Sequence, residues 1–203
     1  MLLRLLSIES TRLFRRALPW VALAACLLYI GLSLYHFYTL NATEIVTGQL
    51  ALPGLSFDLA TSLDQVFMIA MPFLVMIGAA LMGDDYAQRT NQHWLIRVSR
   101  STSVLAKFAL LALVIVGIFA VTLLFGGAFG LALKTYLYGS ASLVGVNALE
   151  ALWAPVYMTI VVLPYAALML LLALLTRSTF GSAGLGLIYT LFIELILGSA
   201  FFD

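Results

Sequence analysis

Five stretches of this sequence stay apolar for the thickness of a lipid bilayer, and few folds can accommodate them. Ala17–Leu40, Phe108–Leu133 and Ala151–Thr176 carry no charge. Leu59–Met82 carries one, Asp64, close to its start, and Ser178–Phe202 carries one, Glu194. A helix needs about 20 apolar residues to cross the hydrocarbon layer. The runs are continuously apolar and do not alternate, so helices are expected and not the strands of a barrel. Composition agrees: 64% of the 203 residues are hydrophobic and 9% are charged, with a mean hydropathy of +1.11. A soluble globule of this size could not hide that much apolar surface, and a disordered chain would not carry it. The net charge of +1 argues against nucleic acid as a partner. The expected fold class is therefore all-α: a polytopic membrane helical bundle forming a single transmembrane domain over residues 1–203.

The spans are placed at about 17–40, 59–82, 104–133, 150–176 and 178–202. Lysine and arginine placement orients them. With the N-terminus cytoplasmic, the inner segments hold Arg4, Arg12, Arg15, Arg16, Arg89, Arg97, Arg100, Lys107 and Arg177, and the outer ones hold Lys134 alone. Glu44, Asp58 and Asp203 then fall outside, with Asp64 and Glu150 at the outer ends of spans, in contact with water. At 100° per residue, Leu2, Leu3, Leu6, Leu13 and Phe14 share one side of residues 1–16. Arg4, Glu9, Arg12, Arg15 and Arg16 share the other. That pattern predicts an amphipathic helix lying in the inner interface. It serves either as a contact surface or as a basic anchor alone. Pro19 marks the turn into the first span. The segment is too long and too basic to be a cleaved signal peptide. The localisation expected is the cell inner (plasma) membrane, multi-pass.

Sites for chemistry are sparse. No phosphate-binding loop of the G-x-x-x-x-G-K-[ST] type is present, and no catalytic set or metal-ligand cluster can be assembled. His36 and His93 are expected on opposite sides of the membrane, and Cys26 is alone in the first span. Gly126 and Gly130 have G-x-x-x-G spacing, a candidate contact face within the bundle or across a dimer. Ser182 and Gly186 have the equivalent small-xxx-small spacing, for close helix packing. Pro72, Pro155 and Pro164 are expected to kink the second and fourth spans. Glu194 is an acid within a span, to be read either as part of a substrate path or as a packed, protonated side chain. No basic partner is evident for Asp64, Glu150 or Glu194.

The connection between the second and third spans, residues 83–103, is the informative one. It opens on Gly83-Asp84-Asp85-Tyr86 and continues through Arg89-Thr90. Trp94, Leu95 and Ile96 interrupt an otherwise polar stretch, and Val98-Ser99-Arg100 closes it. Asp84 and Asp85 would suit a helix N-terminus and Arg97 and Arg100 its C-terminal end. Ser101 or Ser103 is a candidate cap for the next helix. The expectation is a short helix parallel to the membrane. A plain basic loop would explain the arginines, but not the paired acids or the apolar triplet.

The order G-D-D-Y-x-x-R-T, Leu95, V-S-R and then Lys107 entering a span resembles the corresponding loop of the type-two (ABC-2-like) family of ABC transporter permeases. The basic N-terminal helix and the span spacing are similar too. Two features depart from the family pattern: Arg89-Thr90 stands where Gly-Thr is usual, and Tyr86 follows two aspartates where an Asp-Glu pair is common. The family usually has six spans with both ends inside; five spans leave Asp203 outside, where an outer loop and a sixth span would follow.

The resemblance implies a permease subunit that binds no cofactor and is not itself an enzyme. It implies two partners besides the bilayer: an ATP-binding ABC subunit, and a second permease chain in a homo- or heterodimer. The loop would act as the coupling helix, with Asp84, Asp85, Arg89, Thr90, Trp94, Arg97, Ser99 and Arg100 at the ATPase contact. The activity implied is ATP-driven export. The low internal charge suits lipid-like, amphipathic or peptide cargo better than ions. The alternative function is a non-transporting structural subunit of a larger membrane complex.

Overall fold

Hydropathy locates where a chain meets lipid, while helix ends are set by capping groups and breakers. The computed structural model describes residues 2–87, 100–139 and 148–190, and all regular structure in them is helical. Helix α1 spans Leu2–Phe14, α2 Ala17–Leu40, α3 Ala42–Val46, α4 Leu55–Ala87, α5 Arg100–Tyr138, α6 Ala148–Thr176 and α7 Thr179–Ile188. This is an all-α membrane bundle. Among the described residues α2, α5 and α6 are each long and apolar enough to cross a bilayer, and α4 makes a fourth span if its two bent halves are counted together. The fifth expected span is represented by α7, ten residues long. Glu194 and the rest of that span lie outside the described residues.

Each sequence signal has a local counterpart. The break after α1 falls at Arg15 and Arg16, and Pro19 sits in the first turn of α2, where its missing N–H leaves nothing unsatisfied. The indole N–H of Trp20 donates to the Phe14 carbonyl at 2.9 Å, which caps the end of α1. Helix α4 bends at Met68, four residues before Pro72. A proline removes one backbone hydrogen bond and clashes with the carbonyl four residues back. The expected kinks at Pro155 and Pro164 do not break α6, which runs through both as one helix of 29 residues. Both prolines lie past the first turn of α6, so each removes one backbone hydrogen bond without ending the helix.

The chain divides into two units. The first comprises Met1–Ala22, Met71–Ile115 and Ile160–Asp203; the second comprises Leu23–Ala70 and Val116–Thr159. In lipid there is little hydrophobic drive for helices to associate, so close approach of small residues has to supply the attraction. The first unit buries Leu13, Ile77, Leu111 and Met169. Gly78 faces Met169 and Leu111, and Gly186 faces Met169 and Val75. Ser182 and Gly186 are both buried, as their spacing predicts.

The second unit buries Ile30, Leu34, Tyr38, Val66 and Phe119. Here Gly126 and Gly130 of α5 lie directly on Ser62 and Asp58 of α4. The G-x-x-x-G face is thus a contact within the chain. A methyl group on Gly126 would collide with Ser62, and one on Gly130 with the Asp58 carboxylate. Gly126→Ala is expected to destabilise the protein by about 1–3 kcal/mol. Gly117→Ala, with nothing within 4 Å of the added carbon, should be neutral or slightly stabilising. Thermal midpoints of the two variants in detergent check this; equal midpoints would remove the close-packing account.

Candidate functional site

Two corrections concern the ends of the loop. No break follows Gly83: α4 continues through Asp84 and Asp85 to Ala87. The paired acids therefore end a long helix and do not begin a short one, and dipole stabilisation at an N-terminus is not their role. Likewise α5 begins at Arg100, so Ser101 and Ser103 sit in its first turn and neither is the cap residue. Arg89, Thr90, Trp94, Arg97 and Ser99 lie outside the described residues. Asp84, Asp85 and Arg100 are placed by their backbone alone, at the last turn of α4 and the first residue of α5.

What borders this loop is built around Lys107, two turns into α5 and almost fully buried. A lone ammonium in an apolar setting is costly, so it must find charge and acceptors. Its Nζ donates to the Leu81 carbonyl of α4 at 2.6 Å. It also pairs with the Glu9 carboxylate of α1 at 3.2 Å. Glu9 was expected on the polar outer side of α1 with the arginines. It turns inward instead, and Arg12 follows it at 4.0 Å. One side chain thus ties together α1, the end of α4 and the start of α5, all within the first unit. The same unit brings α7 against α4: Gly83 lies on the backbone of Thr179, and Ser178 caps α7 by accepting from the Gly181 N–H at 3.2 Å.

The second unit contains a charge cluster that sequence reasoning missed. Asp58 was expected in water outside; it is fully buried, as is Lys134. The two form an ion pair at 2.5 Å. The Tyr38 hydroxyl donates to Asp58 Oδ1 at 2.5 Å, and Lys134 Nζ donates to the Pro53 carbonyl at 3.0 Å. The ammonium also lies 5.7 Å from the Tyr38 ring centre, and the Tyr138 hydroxyl donates to the Tyr38 carbonyl at 2.6 Å. The cluster joins α2, α4 and α5 to the segment before α4. Two signals could have found it: Lys134 is the lone basic residue on its side, and Gly130 leaves room for a carboxylate opposite. Asp64 is exposed, as expected.

Neither cluster offers a nucleophile, a general base or an open ligand position. Both are joints between helices. The family model described as ABC-2 family transporter protein matches residues 5–193 of the chain. No curated protein and no solved structure gives a significant match.

Proposed function

Since the chain belongs to the ABC-2 family of transporter proteins and is a membrane permease component of an ABC transporter, we propose that it couples a separate cytoplasmic ATPase to export across the cell inner membrane. Residues 83–103 are the docking segment, with Asp84, Asp85, Arg89, Thr90, Trp94, Arg97, Ser99 and Arg100 at the contact. A second permease chain, identical or related, completes the pathway. Cargo of low charge density suits the apolar bundle, and Glu194 is the candidate acid on its route.

The observation that carries this reading is the Lys107 joint. Docking can bias the bundle only if force at the loop reaches the spans through contacts that differ between two states. The loop joins α4 to α5, and Lys107 fastens both to α1. A push on the loop therefore acts on three helices together. Charge placement supports a cytoplasmic N-terminus: every lysine and arginine except Lys134 falls in segments of the first unit, which include the loop.

Co-expression with a candidate ABC-type ATPase from the same genome, followed by purification on a tag on this chain, tests the proposal. The ATPase should co-purify, and the complex should hydrolyse ATP faster than the ATPase alone. Asp85→Asn together with Arg97→Gln should abolish that stimulation. Unchanged stimulation would overturn the docking assignment. Co-purification with other membrane chains and no ATPase would favour a structural subunit.

A further inference from the structure

In the first unit an apolar groove of about 540 Å³ runs between α5 and α6, lined chiefly by Ser101, Leu105, Phe108, Leu170, Leu171 and Leu174. The groove has a direction. Ser101 is the first residue of the apolar stretch of α5, and Leu174 is two residues from the end of that of α6, at Thr176. One end of the groove thus lies where both spans end, and the other, at Phe108 and Ala167, lies seven residues deeper. At about 1.5 Å per residue that is roughly 10 Å, most of the ~15 Å hydrocarbon depth of one leaflet.

The shallow end carries a cation. Arg177 follows Leu170 and Leu174 at seven and three residues, spacings that share a helix face. Its N–H still bonds the Ala173 carbonyl at 3.1 Å, so its Cα keeps the helical register. Its φ of 50° then ends the helix, and the residue is exposed. A groove that is apolar along its length, with an exposed arginine whose Cα is in register with its shallow end, matches an amphiphile with an acidic head.

We propose that this groove is a site for an anionic phospholipid of the surrounding bilayer, one acyl chain lying between α5 and α6 and the phosphate at Arg177. The tail covers Leu105 and Leu171, which are exposed; the phosphate supplies an acidic partner, which Arg177 does not have among the described residues. The site stands on these residues alone and does not depend on the transport reading.

The full chain is reconstituted in vesicles of equal phosphatidylglycerol and phosphatidylcholine, with a trace of spin-labelled lipid of either kind. Electron paramagnetic resonance then measures the immobilised fraction. The wild type should hold phosphatidylglycerol more strongly than phosphatidylcholine, by about fivefold at the groove itself, the effect of one well-placed cation. Arg177→Gln should remove the preference of this one site, lowering the measured ratio while leaving the immobilised total nearly unchanged. Leu105→Trp, or Leu171→Trp from the other wall, should fill the groove and remove about one immobilised lipid per chain. Equal selectivity in wild type and Arg177→Gln overturns the proposal. So does a tryptophan variant that keeps its lipid count but loses self-association in cross-linking, since a second copy would then occupy the groove. A monodisperse elution profile qualifies each variant as folded.

Discussion

Lys134→Met is expected to lower the stability of the protein by about 3–5 kcal/mol, the usual cost of leaving a buried charge without its partner. The wild-type ammonium has no exposure and is engaged by Asp58, the Pro53 carbonyl and the Tyr38 ring. Removing it strands a carboxylate among α2, α4 and α5, with the Tyr38 hydroxyl as its remaining donor among the described residues. Asp58→Asn should cost a similar amount by stranding the ammonium instead. The pair in isolation is not expected to be an efficient stabiliser, because desolvating two ions offsets most of their attraction. Asp58→Leu combined with Lys134→Met should therefore recover most of what either single change loses. Fluorescence-detected size-exclusion after heating supplies the midpoints. Near-wild-type midpoints for both single variants would show that the pair is not buried as described.

The second large effect is on function. Lys107→Met should reduce the stimulation of ATP hydrolysis by this chain about tenfold, which corresponds to about 1.4 kcal/mol of lost coupling. The structural cost should be smaller than at Lys134. Glu9 keeps some exposure and has Arg12 nearby, so water and the guanidinium can take over its charge. The variant should thus still assemble with the ATPase while transmitting less to the spans. Glu9→Gln, which keeps the Lys107 bond to the Leu81 carbonyl, should lie between the two. A Lys107→Met complex that assembles and hydrolyses as wild type would remove Lys107 from the coupling path.

The bundle was legible in the sequence because lipid permits so few alternatives: an unbroken apolar run of the right length must be a helix. The small-residue spacings at Gly126, Gly130, Ser182 and Gly186 were legible for the same reason, since close backbone approach replaces the hydrophobic drive. Helix ends were not. Hydropathy falls after Met82, but nothing at Gly83–Ala87 stops a helix, so α4 carries Asp84 and Asp85 past the apolar stretch. The two lysines were read through the charge rule that orients spans, which counts them as solvated. Their burial follows from partners distant in sequence, Glu9 and Leu81 for one and Asp58 and Pro53 for the other. That information enters only with the three-dimensional arrangement. Asp58 shows it most plainly: by the charge rule it reads as an acid outside the membrane, and only Lys134 and Gly130 make it a core residue.

The order of synthesis gives the Asp58–Lys134 pair one more consequence. The ribosome delivers the acid long before the base, so the second crossing is made before the cation that compensates its carboxylate. Chains interrupted before Lys134 would carry the acid without its partner, so this joint closes only when synthesis has reached the end of the third crossing.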